Sequence, residues 1–304
     1  MPAPSKARAG LSAADVVVGL FLVSVVFLFL IMAATRARES ARLMTCQRNL
    51  AQIGQALAYY DGAFGGLPSA QLARDGEAPG EVPPGPLKAM LDALGVASFL
   101  GLDDKGTGVG APRETASAGV PVAGFLCPAD QVALGHPFPS PISYRACTGA
   151  DEAGTDGPFA LGRRTSLAEV ERRDGAAYTA AFAERLIGDG RPQPSPRNYF
   201  VPGIAGPPKS SGDVSWRGDA GSTWTVSDFR YTLYNHSKPP NHPETWVADD
   251  GATSTMGASS SHVRGLNMLM LDGSARIVAP SIDPAVWTAF GTLGPEPERS
   301  DPRG

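Results

Sequence analysis

Three serines followed by a histidine are the part of this sequence that comes nearest to a hydrolytic site. Residues 259–261 are serines, His262 follows them, and the acids Asp249 and Asp250 lie shortly before. A serine nucleophile needs a base within hydrogen-bond reach and a third group that orients that base. Adjacent residues of a strand point to opposite faces, and the sequence has no G-x-S-x-G motif. We therefore expect no catalytic residue here and a protein that is not an enzyme.

Metal-ligating residue types occur in this chain without the spacing of a metal site. Cys46, Cys127 and Cys147 stand far apart and include no C-x-x-C pair. His236 and His242 frame a proline turn, without an H-E-x-x-H motif or a comparable third ligand. Because structural zinc sites take ligands from closely spaced pairs, we expect no metal and no cofactor. One disulfide and one remaining thiol fit the cysteine count better, provided that the body of the protein lies outside the cytoplasm.

An acidic loop is a candidate for calcium binding. It contains Asp151, Glu152 and Asp156. The segment lacks the ligand register of an EF-hand, and acidic turns are usually only solvated. A solvated turn is the preferred interpretation, and calcium binding stays the alternative.

The composition indicates a globular body with many turns and short strands. The 304 residues are 42% hydrophobic, which is enough for a sizeable core, and they include 36 glycines and 28 prolines. The net charge of −4 comes from 30 acids and 26 bases, and no basic block is long enough to follow a phosphate backbone. We therefore expect mostly sheet and loop, and no nucleic-acid partner.

An apolar run near the N-terminus predicts a membrane helix. Residues 16–34 carry no charge, and at about 1.5 Å per helical residue they can just cross a hydrocarbon core of about 30 Å. A secretory signal would have a shorter apolar core and a small-residue cleavage site, whereas this run continues as a helix. Bases flank both sides and do not fix its orientation. Asp15 stands directly before the run, where a charge is costly unless something uses it.

The segment after the span predicts that the helix continues as an amphipathic stem. Its apolar residues recur at spacings of three, four and seven, which places them on one helical face. They are Leu43, Leu50, Ile53, Leu57 and Tyr60. Gly54 interrupts this pattern, and the sequence from Gly62 onward ends it.

The body contains four segments with a readable pattern. Residues 87–100, LKAMLDALGVASFL, predict a packed helix, whereas residues 125–131 and 141–160 predict short strands joined by turns. Asp272-Gly273 lies between two apolar segments and suits a tight turn, so residues 266–278 predict a β-hairpin.

A short helix is predicted immediately after the hairpin. Asp283 and Pro284 are a capping residue and a proline suited to the first turn of a helix. The helix would carry Val286, Trp287 and Phe290 as its apolar residues.

The N-terminus resembles the class III signal of type IV pilins and type II secretion pseudopilins. A short basic leader ends in Gly10, and an acid, Asp15, stands at the fifth position after it. The resemblance implies that a prepilin peptidase cuts between Gly10 and Leu11 and that the new amino terminus is methylated. It also implies that Asp15 neutralises the α-amino group of a neighbouring subunit inside an apolar bundle. The family's acid is a glutamate, so an aspartate here is a departure from its pattern.

The C-terminal part is similar to a large bacterial family, domain of unknown function 1559, whose members carry a prepilin-type N-terminus. The similarity rests on His262, nine residues, Asp272-Gly273, and a helix with Trp287 before a Gly-Thr pair. Matching blocks run from Gly10 to Gly294 in the family's order. The further blocks are CQRNLAQIGQALAYYD with Cys46, FLCPAD with Cys127, Ser143-Tyr144, a D-G…E block from Asp174 to Glu184 that keeps Thr179, and Asn235 with Pro239-Pro240-Asn241.

Two disulfide pairings stay open. In the similar family the cysteines that match Cys46 and Cys127 recur together, so the resemblance favours a bond between them. Proximity along the chain instead favours Cys127 with Cys147.

Together these features predict an α+β, pilin-like protein with a long N-terminal helix packed on an antiparallel sheet. The predicted segments are a leader at 1–10, a transmembrane helix at 11–35, an amphipathic stem at 36–61, a globular head at 62–294 and a disordered tail at 295–304. We expect a non-enzymatic subunit, single-pass in the inner membrane, that assembles into a filament or a secretion-related structure. Its head would be periplasmic or extracellular. A monomeric membrane-tethered binding module is the alternative.

The expected partners follow from the resemblance. They are a prepilin peptidase, the lipid of the inner membrane, and other pilin-like subunits or further copies of this chain.

Overall fold

The computed structural model describes residues 13–72, 83–95, 120–130, 132, 135, 137–202 and 214–294. The predicted leader and tail lie outside these residues, and so does the predicted cleavage position at Gly10 and Leu11. The chain divides into two compact units, Met1–Arg42 and Leu43–Gly304.

The first unit contains the N-terminal part of helix α1, Ala13–Phe64, with Asp15 in its first turn. Most of its large apolar side chains are exposed, with exposed fractions between 46% and 67%. A helix that is apolar on all sides belongs in a protein core or in a membrane. Among the described residues, one helix, α1, is long and apolar enough to cross a bilayer. No residue of its most apolar stretch is buried. This part of α1 therefore has the length and composition of a single-pass anchor.

In the second unit, α1 buries one face. The buried side chains recur at the predicted stem spacing, and they include Leu50, Ile53 and Leu57. Gly54 interrupts only the apolar pattern, and α1 continues through it to Phe64 as one helix. A Cβ atom at Gly54 would lie 3.1 Å from the Cα atom of Gly273, so the missing side chain lets the helix approach the backbone of a turn.

A five-stranded sheet forms the centre of the second unit, with strand order β5-β1-β2-β6-β7. Its strands are β1 Tyr144–Cys147, β2 Ala180–Glu184, β5 Leu233–Tyr234, β6 Leu266–Met270 and β7 Ala275–Val278. Strands β3 Tyr199–Pro202 and β4 Val214–Arg217 form a separate two-stranded sheet. The fold is α+β as predicted, and the sheet adds one parallel pair, β1 with β5, to its antiparallel pairs.

Each face of the five-stranded sheet has its own core. The α1 core holds the stem together with Phe182, Leu269 and Trp224. The α4 core, named after the helix Pro284–Gly291, holds Met268 and Trp287. All residues of β1, β2 and β6 are buried, as expected for strands covered on both faces.

The local predictions for the C-terminal region are confirmed. The hairpin of β6 and β7 turns at Asp272-Gly273, where Gly273 has a positive φ of 86°. Asp272 Oδ1 accepts from the backbone N–H of Ser274 at 2.8 Å. Helix α4 starts after Asp283, whose carboxylate accepts from the N–H of Ala285 at 2.8 Å.

Two local predictions need correction. Residues 125–131 are not a strand in their described part, because Ala123–Phe125 is a 3-10 turn and Pro128 follows directly after Cys127. The helix predicted over 87–100 is short: α2 is Pro86–Ala89, followed by turns up to residue 95, with the remainder outside the described residues. The remaining α-helix, α3, is Leu167–Arg173 and lies between α2 and α4 in the described part of the chain.

Candidate functional site

Four buried side chains with metal-ligating atoms meet at the α1 core. They are Cys46, Cys127, Glu184 and His262, called the thiol cluster below, and their ligating atoms lie within 4.8 Å of one another. Their exposed fractions are between 0% and 4%. Side chains of these types are rarely buried together without a shared interaction.

Each member of the thiol cluster is held by a different part of the second unit. Cys46 lies on the buried face of α1, and Cys127 lies in the loop after the 3-10 turn. Glu184 is the last residue of β2, and His262 lies in the turn that precedes β6. Because β2 and β6 are neighbours in the sheet, their pairing brings Glu184 close to the start of β6.

The two sulfur atoms and the imidazole form the closest contacts of the cluster. Cys46 Sγ and Cys127 Sγ are 2.9 Å apart, and all three cysteines of the chain are thiols. His262 Nε2 lies 3.3 Å from Cys46 Sγ and 3.5 Å from Cys127 Sγ. The carboxylate completes the group, with Glu184 Oε1 3.4 Å from Cys127 Sγ and 3.5 Å from His262 Nε2.

Asn267, the second residue of β6, fixes the orientation of the Glu184 carboxylate. Its backbone N–H donates to Glu184 Oε2 at 2.8 Å, and its side-chain amide donates to Oε1 at 2.9 Å. Burial raises the pKa of Glu184, but the hydrogen bonds from His262 and Asn267 outweigh it and lower the pKa below its ordinary value. The carboxylate is therefore held ionised in a buried position.

Cys127 is fixed through its backbone and has a protonated thiol in this arrangement. Its N–H donates to Ser143 Oγ at 3.0 Å. The hydrogen bond with Cys46 and burial both raise the pKa of the Cys127 thiol, although the contact with His262 opposes them. Without a cation nearby the Cys127 thiol therefore stays neutral, whereas a cation would favour its thiolate.

The arrangement can support two kinds of chemistry. Two thiols in contact can be oxidised to a disulfide. Two thiols, a carboxylate and an imidazole can alternatively coordinate one cation.

The structure places the third cysteine away from this site. Cys147 belongs to the α4 core, and its Sγ lies 3.7 Å from the backbone oxygen of Gly291. Cys127 contacts Cys46 and not Cys147 in the contacts of the described residues. The geometry therefore brings together the cysteine pair that the family resemblance favours and separates the pair that sequence proximity favours.

Trp287 and the histidine of the predicted proline turn meet in the α4 core. The rings of His236 and Trp287 are stacked, with centroids 3.7 Å apart. His236 Nε2 lies 3.0 Å from the hydroxyl oxygen of Tyr234, and Nδ1 lies 2.6 Å from the backbone oxygen of Trp287. His236 thus has a partner for each ring nitrogen, and His242 is not among them.

The serines before His262 have structural contacts. Ser259 Oγ accepts from the guanidinium of Arg185 at 2.6 Å and from the N–H of Leu186 at 3.2 Å. Ser260 Oγ accepts from the N–H of His262 at 3.2 Å, while the ring of His262 faces the thiol cluster.

The carboxylates of the acidic loop are used by the loop itself. Asp156 Oδ1 accepts from the N–H groups of Ala150 at 2.8 Å and Asp151 at 3.2 Å. Asp151 accepts from the N–H of Thr155 at 2.8 Å. These bonds close the turn around its own backbone.

Sequence reasoning named Glu184 only as the end of a block and missed Asn267. Glu184 follows AAFA in β2, and an acid at the end of a fully apolar strand is a signal of a buried charge that needs partners. For Asn267 we find no comparable signal.

Comparison with known proteins shows similarity to a protein family. A family model described as "Protein of unknown function (DUF1559)" matches residues 35–285, well over half of the chain. The matched range contains the whole thiol cluster together with Asp272 and Gly273, while Asp15 and Trp287 lie outside it. No curated protein and no solved structure matches the chain.

Proposed function

This chain belongs to the DUF1559 family, and on that premise we propose that it is a membrane-anchored, pilin-like structural subunit without enzymatic activity. It assembles through its N-terminal helix into a filament or a secretion-related structure. The body is periplasmic or extracellular and the anchor lies in the inner membrane. Its partners are a prepilin peptidase and other pilin-like subunits or further copies of the chain.

The observation that carries the proposal is the composition of the first unit. Its helix exposes apolar side chains all round, and its first turn contains an acid, Asp15. The apolar surface alone would suit a plain anchor. An acid next to it is costly in a membrane unless it has a charged partner, and the amino terminus of a neighbouring subunit is such a partner.

Assembly then follows from packing between helices. Apolar stems pack side by side through van der Waals contacts, and Asp15 pairs with the amino group of Leu11 in the adjacent copy. Such a pair fixes the register between subunits, because a shift would separate the two opposite charges inside an apolar bundle.

The non-enzymatic part of the proposal is supported by the contacts of the serines. Ser259 accepts two hydrogen bonds from Arg185 and Leu186, and the ring of His262 faces the thiol cluster instead of a serine hydroxyl. The serine hydroxyl and the histidine ring that a hydrolase would need to pair therefore contact other groups.

The substitution Asp15→Asn tests assembly. It keeps the size of the side chain and removes its charge, so we expect filaments or sheared surface assemblies to disappear from electron micrographs while the protein stays in the membrane fraction. Glu39→Gln, an acid of the same helix beyond the apolar run, is the matched control and should assemble normally. Normal assembly of Asp15→Asn would contradict the proposal and favour a monomeric tethered binding module.

Processing is tested by intact mass and N-terminal sequencing of protein from its native membrane. We expect a chain that starts at Leu11 with a methylated amine. A start at Met1 would contradict prepilin processing and leave an ordinary anchor.

A further inference from the structure

We propose that the thiol cluster is a binding site for one divalent transition-metal ion, and that the donor set selects Zn²⁺. The ligands are the sulfur atoms of Cys46 and Cys127, Oε1 of Glu184 and Nε2 of His262. Zinc in proteins takes four ligands of these three kinds in a tetrahedron. The site would hold α1, the loop after the 3-10 turn, β2 and β6 together.

The distances between the donor atoms carry this inference. In a tetrahedral zinc site with bonds of about 2.0–2.3 Å, neighbouring ligand atoms are about 3.3–3.8 Å apart. Four of the five contacts of the carboxylate and imidazole with the sulfur atoms and with each other measure 3.3, 3.4, 3.5 and 3.5 Å. The fifth, between Cys46 Sγ and the Glu184 carboxylate, is within 4.8 Å. Only the sulfur pair, at 2.9 Å, is too close and has to widen by about 0.9 Å.

The surroundings of the cluster match those of a metal site. A ligating carboxylate is usually oriented by a hydrogen-bonded neighbour, and Asn267 holds Glu184 through both oxygens. A buried carboxylate needs a cation or strong donors, and a divalent ion would supply the cation. With two thiolates and one carboxylate, the occupied site would keep one net negative charge, which the donors of Asn267 face. A small depression lined by Cys127, Glu184 and the serines 259–261 lies beside the cluster.

The chemistry of binding balances without an oxidant. The ion enters as a hydrated dication, four ligand atoms replace its waters, and the two thiol protons leave to solvent. His262 binds as a neutral imidazole, with its ring proton on Nδ1 and the lone pair of Nε2 on the ion. A disulfide is the competing outcome at this position. It would use only the two sulfur atoms, whereas a cation uses all four donor atoms that converge here.

The test uses the full chain in detergent, reduced and freed of metal with a chelator. Adding Zn²⁺ should give one equivalent of bound metal per chain and should protect two thiols from alkylation. Co²⁺ as a spectroscopic probe should give the intense absorption of tetrahedral thiolate coordination. Binding of much less than one equivalent, or an octahedral cobalt spectrum, overturns the proposal.

Substitutions locate the ion. Cys46→Ser and His262→Gln should lower zinc affinity by more than the about 10–100-fold expected for an outer-shell partner. Cys147→Ser is the matched control, since it removes a buried thiol outside the cluster, and it should keep one equivalent. Equal binding by Cys46→Ser and Cys147→Ser overturns the site.

Two further measurements keep the test decisive. If a cluster variant does not fold, the Tm of the wild-type chain is measured instead. A chelator should lower this Tm and added Zn²⁺ should restore it. A Tm that changes with neither overturns the proposal. The mass of protein from its native membrane, before and after reduction, gives the other answer. A Cys46–Cys127 disulfide there overturns the proposal even when the reduced chain binds Zn²⁺.

Discussion

The two faces of the five-stranded sheet each bury a cysteine and a histidine, with opposite results. In the α1 core, Cys127 and His262 meet a second thiol and a carboxylate. In the α4 core, His236 lies between the ring of Trp287 and the hydroxyl of Tyr234, and Cys147 packs in an apolar cluster with its Sγ 3.7 Å from the backbone oxygen of Gly291. Residue type is the same on both faces, so the neighbours decide whether a buried histidine is a ligand or a packing element.

The hydrogen bonds of the two histidines show the difference directly. Both ring nitrogens of His236 have protein partners, a hydroxyl and a backbone oxygen. Nε2 of His262 instead faces two sulfur atoms and a carboxylate oxygen, which are all metal ligands. A histidine whose two ring nitrogens both contact neutral protein groups stabilises the fold. A histidine that faces sulfur and carboxylate atoms can bind an added metal ion together with them.

Removing the large ring of the α4 core is the strongest way to separate the two faces. Trp287 is 1% exposed and donates from Nε1 to the backbone oxygen of Lys238 at 2.7 Å. Trp287→Ala should lower the free energy of unfolding by about 3–5 kcal/mol, through the lost contacts and the cavity that is left. Urea unfolding followed by circular dichroism measures the loss.

The neighbouring exposed residue supplies the control. Val286 is 45% exposed, and Val286→Ala should change the free energy of unfolding by no more than about 0.5 kcal/mol. Zinc binding by Trp287→Ala should be that of the wild type, because the thiol cluster belongs to the other core. Loss of zinc binding in Trp287→Ala would mean that the two cores are coupled.

Acid should act on the α4 core through His236. Burial lowers the pKa of His236 from 6.5 to about 4 in the folded protein, despite the bond to Trp287. Between these values the unfolded chain binds a proton that the folded chain does not, so stability is full above pH 6.5 and falls as the pH decreases towards 4. The loss from this one group should reach about 3 kcal/mol.

The pH effect is measured as the urea midpoint across that range. His236→Gln should flatten the slope, because the titrating group is gone. His242→Gln, which changes a partly exposed histidine, is the control and should keep the wild-type slope. A slope that persists in His236→Gln would assign the pH dependence to other groups.

A smaller effect is expected where α1 meets the hairpin turn. A Cβ atom at Gly54 would lie 3.1 Å from both the Gly273 Cα atom and a methyl carbon of Leu269. Gly54→Leu should therefore lower the free energy of unfolding by about 1–3 kcal/mol through overpacking. Gly62→Leu, on the same helix with open space around its Cα atom, should be neutral or stabilising, and thermal unfolding compares the two. Equal stabilities would show that the turn moves aside without cost.

Local patterns allowed much of the fold to be predicted. The hairpin at Asp272-Gly273 and helix α4 after Asp283 were predicted because turn and capping chemistry depend on adjacent residues. The stem was predicted from its apolar spacing. The apolar pattern does not show why it is interrupted at Gly54, where the missing side chain allows a close approach to Gly273.

Spacing along the chain could not predict the thiol cluster, because its members are far apart in the sequence; only the family resemblance favoured its Cys46–Cys127 pair. Cys46 and His262 are 216 positions apart, and Cys46 and Cys127 are 81 apart. Ligand-spacing rules apply to motifs within one loop or hairpin, and here the sheet register and the packing of α1 supply the geometry. The strand predicted around Cys127 is absent for a related reason, a contact that is distant in sequence. The backbone N–H of Cys127 donates to the side chain of Ser143 and not to a neighbouring strand.

The order of strands in the sheet also bears on how the second unit folds. Strand β6 pairs with β2 near the middle of the sheet, yet it follows β2 by roughly eighty residues of chain. The edge of β2 that pairs with β6 consequently stays unpaired until residues 266–270 have left the ribosome. Early in synthesis this edge is open to pairing with other chains, and a chaperone that covers it would raise the yield of folded protein.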